Sequence, residues 1–225
     1  MKRQIAADIA HTCRRLAEAG LIAGQDGNVS VRIGEGRALV TPAGLIKSEL
    51  APDDIVEIGL DGGRIRGHRR PSTEIDMHLR ILRARADVGA VVHAHPPVAT
   101  GFSVAGEAFD ACVLPELIFQ VGWVPLVPYG TPGTAELGEQ LEPFIKDYDA
   151  LLLANHGAVT MGATLAEARI RMESLEHAAK IILTARLLGR VVELGPADVA
   201  RLEQMRRARS QPGPYPGCPT PDGHA

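Results

Sequence analysis

The chain has 225 residues, of which 45% are hydrophobic and 23% are charged, and its formal net charge is −3. This length allows one large domain or at most two small ones, with enough residues for a sizeable core. The nearly balanced charge gives no support for nucleic-acid binding, since the basic run near residue 205 is typical of a solvated helix face. No apolar run approaches the roughly 20 residues that a membrane span needs, so no membrane is expected as a partner.

The first twenty residues predict an amphipathic helix rather than a secretory leader. Apolar Ile5, Ile9 and Leu16 recur at helical spacing, and Gly20 is a plausible helix end. No apolar core segment of the secretory type is present in this stretch. The three cysteines are scattered without paired metal-ligand spacing, so a reducing cytoplasm is the expected compartment.

Short strands and helices then alternate without a strict βαβ order. The β-like segments are NVSVRI, RALVTP, DIVEIGL and RIRGH, and the DGG between the last two predicts a hairpin. Helices are predicted at 71–86, from residue 96, at 134–147, at 164–189 and at 196–208, with an irregular Pro-rich stretch before residue 134. Thr164 and Glu167 form a capping-box pattern at the start of the helix at 164–189, and Gly189 ends that helix.

This alternation favours a mixed or antiparallel sheet with helical cover. We expect one domain over residues 1–208, followed by a mobile tail rich in Pro and Gly at residues 209–225.

The segment GAVVHAHPP, residues 89–97, places two histidines two positions apart within an apolar run. If the run is a strand, His93 and His95 point to the same face, because successive strand side chains alternate. A single buried histidine bonded to a carbonyl is common, but a pair on one face favours a metal site. Zinc and similar ions bind imidazole together with a carboxylate, and a catalytic site leaves one position open.

Two other residues are candidates to complete such a site. His156 closes the apolar run LLLANHG, where it is either a turn residue or a third ligand. Glu74 lies at a predicted helix start, where a carboxylate either stabilises the helix dipole or supplies an oxygen ligand. His78, one turn later, is expected on the helix surface or behind the ligands.

Three short loops combine glycine with hydroxyl or amide side chains. They are GQDGNVSV from residue 24, TPAG from residue 41 and PSTE from residue 71. Exposed backbone N–H groups beside Ser, Thr and Asn suit an anion, particularly at a helix N-terminus. Each loop taken alone is equally compatible with an ordinary turn.

In chain order, the segments GNVSV, TPAG, PSTE, VVHAHPP and ANHG resemble those of the class II aldolase/adducin family, which includes fuculose-phosphate aldolases and ribulose-phosphate 4-epimerases. The likeness runs from about residue 5 to residue 190. It implies a single-domain α/β/α fold around a central, largely antiparallel sheet. It also implies a homotetramer with sites at subunit interfaces and a small-molecule sugar phosphate as substrate.

The resemblance assigns roles to the candidate residues. The family's metal ligands fall on Glu74, His93, His95 and His156, and the implied cofactor is a divalent metal, first Zn²⁺, with Mn²⁺ or Co²⁺ as alternatives. The family's phosphate site falls on Gly27, Asn28, Ala43, Gly44, Ser72 and Thr73, where Ala43 would contribute its backbone N–H. The implied reaction cleaves a ketose 1-phosphate, of the fuculose or the 5-deoxyribulose/methylthioribulose type, to dihydroxyacetone phosphate and an aldehyde, with Glu74 as general base.

One segment departs from the fuculose-type pattern. Those aldolases use a tyrosine proton donor from a neighbouring subunit before the stretch VPLVPYGTPGT, and Leu114 occupies the matching place here. Glu116, two residues on, is either a surface glutamate or a substitute acid/base, since methylthioribulose-phosphate dehydratases use a glutamate in this region. Tyr215 in the tail is a candidate to close the site, as C-terminal aromatic residues often do in the family.

Other reactions share the implied metal site and stay open. They are dehydration of methylthioribulose 1-phosphate, 4-epimerisation of a pentulose phosphate and decarboxylation of a keto-acid phosphate. A non-catalytic, adducin-like binding module is disfavoured, because all four ligand positions are kept and the chain has no long charged tails.

Overall fold

Strands with alternating buried side chains build one central sheet, and helices cover both of its faces. The computed structural model describes residues 1–34, 36–109 and 112–208. The strands are β1 (Asn28–Arg32), β2 (Arg37–Val40), β3 (Val56–Gly59), β4 (Arg64–Arg66), β5 (Ala90–Ala94), β6 (Leu126–Val127), β7 (Ala150–Leu153) and β8 (Gly157–Gly162). Their order across the sheet is β4-β3-β2-β1-β5-β8-β7-β6. Every neighbouring pair is antiparallel except β6 with β7.

The helices divide between the two faces of the sheet. They are α1 (Lys2–Glu18), α2 (Ile75–Ala84), α3 (Pro97–Val104), α4 (Pro115–Gln120), α5 (Ala135–Ile145), α6 (Leu165–Leu187) and α7 (Pro196–Ala208), with 3-10 turns at Lys47–Glu49 and Pro52–Asp54. On β5, Val92 belongs to the core formed with α1, α3 and α6, whereas Val91 belongs to the core formed with α2 and α5. The alternation of strand side chains therefore produces three layers, and the predicted α/β/α fold is confirmed.

Most of the predicted elements form, and the differences have local causes. The DGG hairpin joins β3 to β4, and Thr164 Oγ1 accepts from the Glu167 N–H at 3.2 Å, as a capping box requires. Helix α2 begins only at Ile75, because the Ser72 hydroxyl accepts from the Glu74 N–H in a turn before the helix. The stretch expected to be irregular contains α4 and β6, which are too short to give a periodic signal.

Helix α7 is not the fully solvated face that its basic run suggests. Arg206 is buried and donates to the carbonyl oxygen of Ile118 at 3.1 Å. Its guanidinium also lies 4.0 Å from the buried carboxylate of Asp149. The expectation of a solvated helix is therefore wrong for this side chain, which fastens α7 to α4.

Two expectations concern the ends of the chain and its surroundings. The division into residues 1–208 and a tail stays a prediction, since residues 209–225, and Tyr215 with them, lie outside the described residues. Within the described ranges, no helix has both the length and the apolar character needed to cross a bilayer.

The register of three neighbouring strands determines where the strand histidines lie. β5 runs between β1 and β8, with His93 opposite Asn28 on one side and Val159 on the other. Asn28 and His93 share the sheet face that α2 covers, since Val159 belongs to the same core as α2. The end of β5 therefore meets the start of β1 and the turn before β8.

Candidate metal centre

The four predicted metal ligands converge at the end of β5. The ring centroids are 5.0 Å apart for His93 and His95, 4.7 Å for His93 and His156, and 5.1 Å for His95 and His156. Glu74 Oε2 lies 3.3 Å from His93 Nε2, and Glu74 Oε1 lies 3.1 Å from His156 Nε2. One nitrogen from each ring lies within 4.8 Å of the others, so the cluster can hold a metal ion. Imidazole nitrogens with a carboxylate are the donors that zinc and similar ions prefer.

The hydrogen bonding of the rings fits such an ion. His93 Nδ1 lies 2.9 Å from the carbonyl oxygen of Ala158, which can only accept, so Nδ1 carries the proton. His93 Nε2, on the other side of the ring, lies 3.2 Å from His95 Nε2 and 3.3 Å from Glu74 Oε2. A bond from the second ring nitrogen to a carbonyl is the usual support of a ligating histidine. Glu74 Oε1 and His156 Nδ1 are buried, and neither makes a well-aligned hydrogen bond within the described residues.

The turn between β7 and β8 brings His156 to the cluster. Asn155 has a φ of 55°, a left-handed conformation that asparagine tolerates better than most residues. A Cβ at Gly157 would lie 2.6 Å from the Ala94 carbonyl oxygen and 2.6 Å from His95 Cδ2. Only glycine therefore allows β8 to approach β5 closely enough for His156 to reach the other rings.

The carboxylate and the rings differ in their protonation. Burial acts to raise the pKa of Glu74, but the charge of His93 and hydrogen bonds to His156 and His93 outweigh it, and the pKa lies well below its usual range. Burial, with the charges of His93 and His156, lowers the pKa of His95 to about 4. At neutral pH Glu74 is ionised and His95 is neutral, which are the states that metal ligation requires.

Asn28 turns its side chain to the carboxylate. Its Nδ2 donates to Glu74 Oε2 at 2.8 Å, and its Oδ1 accepts from His78 Nε2. His78 is buried behind the ligands rather than exposed on the helix surface. Burial, with the charge of His93, lowers the pKa of His78 to about 3, although Glu74 opposes this. One N–H and the oxygen of the Asn28 amide are therefore already bonded within the chain, and the predicted phosphate contact of Asn28 stays a prediction.

The three predicted phosphate loops lie side by side next to the cluster. The Thr41 N–H donates to the Val29 carbonyl at 3.0 Å, and Thr41 Oγ1 accepts from the Val29 N–H at 3.1 Å. The Ser72 N–H donates to the Thr41 carbonyl at 3.1 Å. Gly27 has a φ of 73°, and a Cβ there would lie 2.8 Å from the carbonyl oxygen of His93. These contacts join the loops to one another and to β5, the strand that carries His93.

Hydrogen bonding also shows which loop groups are free to bind an anion. The Ala43 N–H donates to the carbonyl of Arg70 at 3.0 Å and is already paired, so its contact with a phosphate stays a prediction. The N–H groups of Gly44 and Thr73 have no acceptor within the described residues. Both residues are exposed, so a phosphate can reach them.

Lys47 lies among these loops, and no local spacing in the sequence predicts it. Its side chain is only 3% exposed, and Nζ donates to the carbonyls of Gln25 at 2.8 Å and Leu45 at 3.1 Å. Burial lowers its pKa, whereas Cys13 and Asp26 act to raise it. The side chain therefore ties the first loop to the segment that directly follows the second.

Glu116 does not join the cluster within one chain. It is exposed on α4 and lines a groove of about 510 Å³ with Glu173, Ser174 and His177 of α6. A role for Glu116 at the cluster therefore requires a second copy of the chain. Tyr215, the residue predicted to close the site, lies outside the described residues.

Comparison with known proteins agrees with this geometry. A family model described as "Class II Aldolase and Adducin N-terminal domain" matches residues 7–183. The 3-oxo-tetronate 4-phosphate decarboxylase of Pectobacterium atrosepticum is 37% identical over 82% of this chain and 86% of that protein. The 5-deoxy-D-ribulose 1-phosphate aldolase of Bacillus thuringiensis serovar kurstaki is 35% identical over 78% of this chain and 83% of its own. A solved L-fuculose 1-phosphate aldolase has a TM-score of 0.84 at 31% identity, covering 92% of this chain and 96% of the other.

The first prediction concerns metal binding. Replacing His156 by alanine removes one of three ring nitrogens, so the affinity for Zn²⁺ should fall by roughly 100-fold or more while the fold is retained. Competition with a chelating dye and circular dichroism measure the two properties. His177→Ala, an exposed histidine outside the cluster, is the matched control and should bind zinc normally. Unchanged affinity of the His156 variant would contradict the ligand assignment.

The second prediction concerns stability against pH. The unfolded chain protonates His78 near pH 6.5, whereas the folded chain keeps it neutral down to about pH 3. The contribution of His78 is therefore complete above pH 6.5 and is lost as the pH falls, by about 2 kcal/mol between pH 7 and pH 5. Urea unfolding of metal-free protein at both pH values measures this loss, and His78→Gln should show a smaller one. Equal losses would show that His78 is protonated in the folded chain.

Proposed function

The chain belongs to the class II aldolase and adducin family, and on that premise we propose that it is a divalent-metal-dependent aldolase of a ketose 1-phosphate. Its products would be dihydroxyacetone phosphate and an aldehyde. The observation that carries the proposal is the joining of the histidine–carboxylate cluster to three loops, two of which have exposed N–H groups without an acceptor among the described residues. A metal and a phosphate can then be held at neighbouring positions of one substrate.

His93, His95, His156 and Glu74 are proposed to hold the metal, which is first of all Zn²⁺, with Mn²⁺ or Co²⁺ as alternatives. The ion would polarise the substrate carbonyl and stabilise the negative charge that develops when the carbon–carbon bond breaks. Three of the four ligands are imidazoles and only Glu74 is an anion, so an ion held there would keep a net positive charge for the substrate.

The loops are proposed to bind the phosphate and so orient the substrate. The N–H groups of Gly44 and Thr73 are the free donors, and Lys47 adds a buried positive charge close by. Gly27 and Ser72 shape the loops through their backbone contacts. Binding of the phosphate end would hold the substrate carbonyl close to the metal site, and this fixed orientation would lower the barrier of the reaction.

Glu74 is proposed to move the proton at the carbon next to the carbonyl. In the direction of aldol addition, its carboxylate takes this proton from dihydroxyacetone phosphate. In the direction of cleavage, the carboxylic acid returns the proton to the same carbon, by microscopic reversibility. Glu74 is ionised at neutral pH, which is the state that the proton acceptor needs in the direction of aldol addition.

Aldol cleavage needs a second acid/base. The hydroxyl group on the carbon that becomes the aldehyde must lose its proton as the carbon–carbon bond breaks. Glu116 from a neighbouring subunit of a homotetramer is our candidate, since it is exposed and ionisable and lies two residues beyond Leu114. Because Glu116 is exposed and does not reach the cluster of its own chain, its role as second acid/base depends on the homotetramer.

Decarboxylation of a phosphorylated keto acid is the second candidate reaction. It is favoured by the 37% identity to a 3-oxo-tetronate 4-phosphate decarboxylase. Loss of carbon dioxide leaves no hydroxyl proton to remove, so the metal site and Glu74 alone would suffice. The separation of Glu116 from the cluster within one chain is compatible with this simpler chemistry.

The third prediction concerns the products. We expect zinc-loaded protein to release dihydroxyacetone phosphate from fuculose 1-phosphate, 5-deoxyribulose 1-phosphate or methylthioribulose 1-phosphate. A coupled reduction of dihydroxyacetone phosphate by NADH follows the reaction, and phosphorus NMR identifies other products. His156→Ala is the control for contaminating activity.

The other outcomes distinguish the alternatives. Release of carbon dioxide from 3-oxo-tetronate 4-phosphate, with no cleavage of the ketose phosphates, would show that the protein is a decarboxylase and not an aldolase. Loss of water would indicate a dehydratase, and inversion at C4 of a pentulose phosphate an epimerase. Protein that binds no divalent metal and transforms none of these compounds would support the adducin-like binding module.

The fourth prediction concerns Glu116. If this residue is the second acid/base, Glu116→Gln should lower kcat for aldol cleavage by about 100-fold or more with little change in KM. Glu173→Gln is the matched control, because it removes a carboxylate from the same groove and should leave kcat nearly unchanged. Similar values of kcat for the two variants would show that Glu116 is a surface glutamate without an acid/base role.

A further inference from the structure

Two pairs of polar residues, one on β1 and one at the start of α2, lie together behind the metal cluster. Asn28 and Ser30 are two residues apart on β1 and share one face, whereas Glu74 and His78 are four residues apart at the start of α2 and also share one face. Packing α2 on β1 brings these four polar side chains together. The spacings N-x-S and E-x-x-x-H are visible in the sequence, but only the packing of the helix on the strand shows that they belong together.

The side chains form a continuous chain of hydrogen bonds. Ser30 Oγ lies 2.8 Å from His78 Nδ1, His78 Nε2 is bonded to Asn28 Oδ1, and Asn28 Nδ2 lies 2.8 Å from Glu74 Oε2. Ser30, His78 and Asn28 are all buried, with exposures of 0%, 1% and 5%. Bonds in such surroundings are strong, and leaving one member without a partner is costly.

The direction of each bond follows from the chemistry of its partners. A carboxylate only accepts, so the Asn28 NH₂ group must face Glu74, and the Asn28 oxygen must face His78. His78 Nε2 therefore carries the proton and donates. The buried ring is neutral, in line with its lowered pKa, so Nδ1 has a lone pair and accepts from the Ser30 hydroxyl. All three bonds then point from Ser30 towards Glu74.

We propose that His78 is a positioning residue, which acts through Asn28 to hold the Glu74 carboxylate in the orientation that the metal cluster needs. The inference rests on the proposed function for the metal site, but not on which reaction takes place there. Asn28 occupies one lone pair of Oε2 and holds the carboxylate plane, so that Oε1 stays directed at His156, 3.1 Å away. Ser30 holds the ring of His78 in the tautomer that donates to Asn28.

Without the proton on His78 Nε2, the Asn28 oxygen would be buried and unpartnered. The amide would then gain by rotating or by shifting away from Glu74, and the carboxylate would lose its fixed support. Partners in this position, one step removed from a ligand, typically change metal affinity by about 10-fold to 100-fold when they are removed.

The experiment measures zinc affinity, which does not depend on knowing the substrate. His78→Leu should weaken Zn²⁺ binding by about 10-fold to 100-fold. His78→Gln, whose amide N–H₂ can replace the Nε2–H donor, should recover most of the loss. In a Glu74→Ala background, His78→Leu should have almost no further effect, because the group that it positions is absent.

A matched control separates positioning from general loss of stability. Met77 is the buried neighbour of His78 on α2 and faces the apolar core, so Met77→Ala should lower stability and leave zinc affinity unchanged. An equal loss of affinity for Met77→Ala, or for His78→Leu in the Glu74→Ala background, would overturn the proposal. Failure of His78→Gln to recover affinity would do the same.

A spectroscopic test uses the unaltered protein. NMR of metal-free protein with ¹⁵N-labelled histidine should show His78 as a neutral ring protonated at Nε2, with a slowly exchanging proton. A ring protonated at Nδ1, or at both nitrogens, would overturn the proposal. Because this readout needs no metal, protein that binds no zinc would contradict the proposed function without deciding the direction of the hydrogen-bond chain.

Discussion

A largely buried carboxylate, Glu74, facing the imidazoles of His93 and His156 is the interaction on which the rest of the structure depends. Removing the charge of Glu74 from water is strongly unfavourable unless charges and hydrogen bonds compensate for it. The compensation comes from separate parts of the chain, namely the end of β5, the turn before β8 and Asn28 at the start of β1. The sheet order, with β5 between β1 and β8, is what brings these parts together.

Local periodicity predicted most of the fold and part of the site. Alternation along one strand was enough to place the two strand histidines on one face, because that inference needs no partner. Glu74 and His156 needed the order of several motifs, since each alone is an ordinary helix start or turn. The roles of Lys47 and the Asn28 amide were not predictable, because they depend on which distant loops and helices pack together.

The two halves of the proposed chemistry have different structural support. The metal cluster and the phosphate loops are joined by backbone and side-chain hydrogen bonds within one chain. The acid/base for the aldehyde end has no such support, since Glu116 is exposed on a short helix in another part of the chain.

Gly27 limits how such a protein can change over generations. A methyl group at this position would lie 2.7 Å from the Ile22 side chain and 2.8 Å from the His93 carbonyl oxygen, so the first loop cannot drift from the metal-binding strand by ordinary substitution. Under the proposed function, the close contact at Gly27 therefore fixes the distance between the first phosphate loop and the histidine–carboxylate cluster.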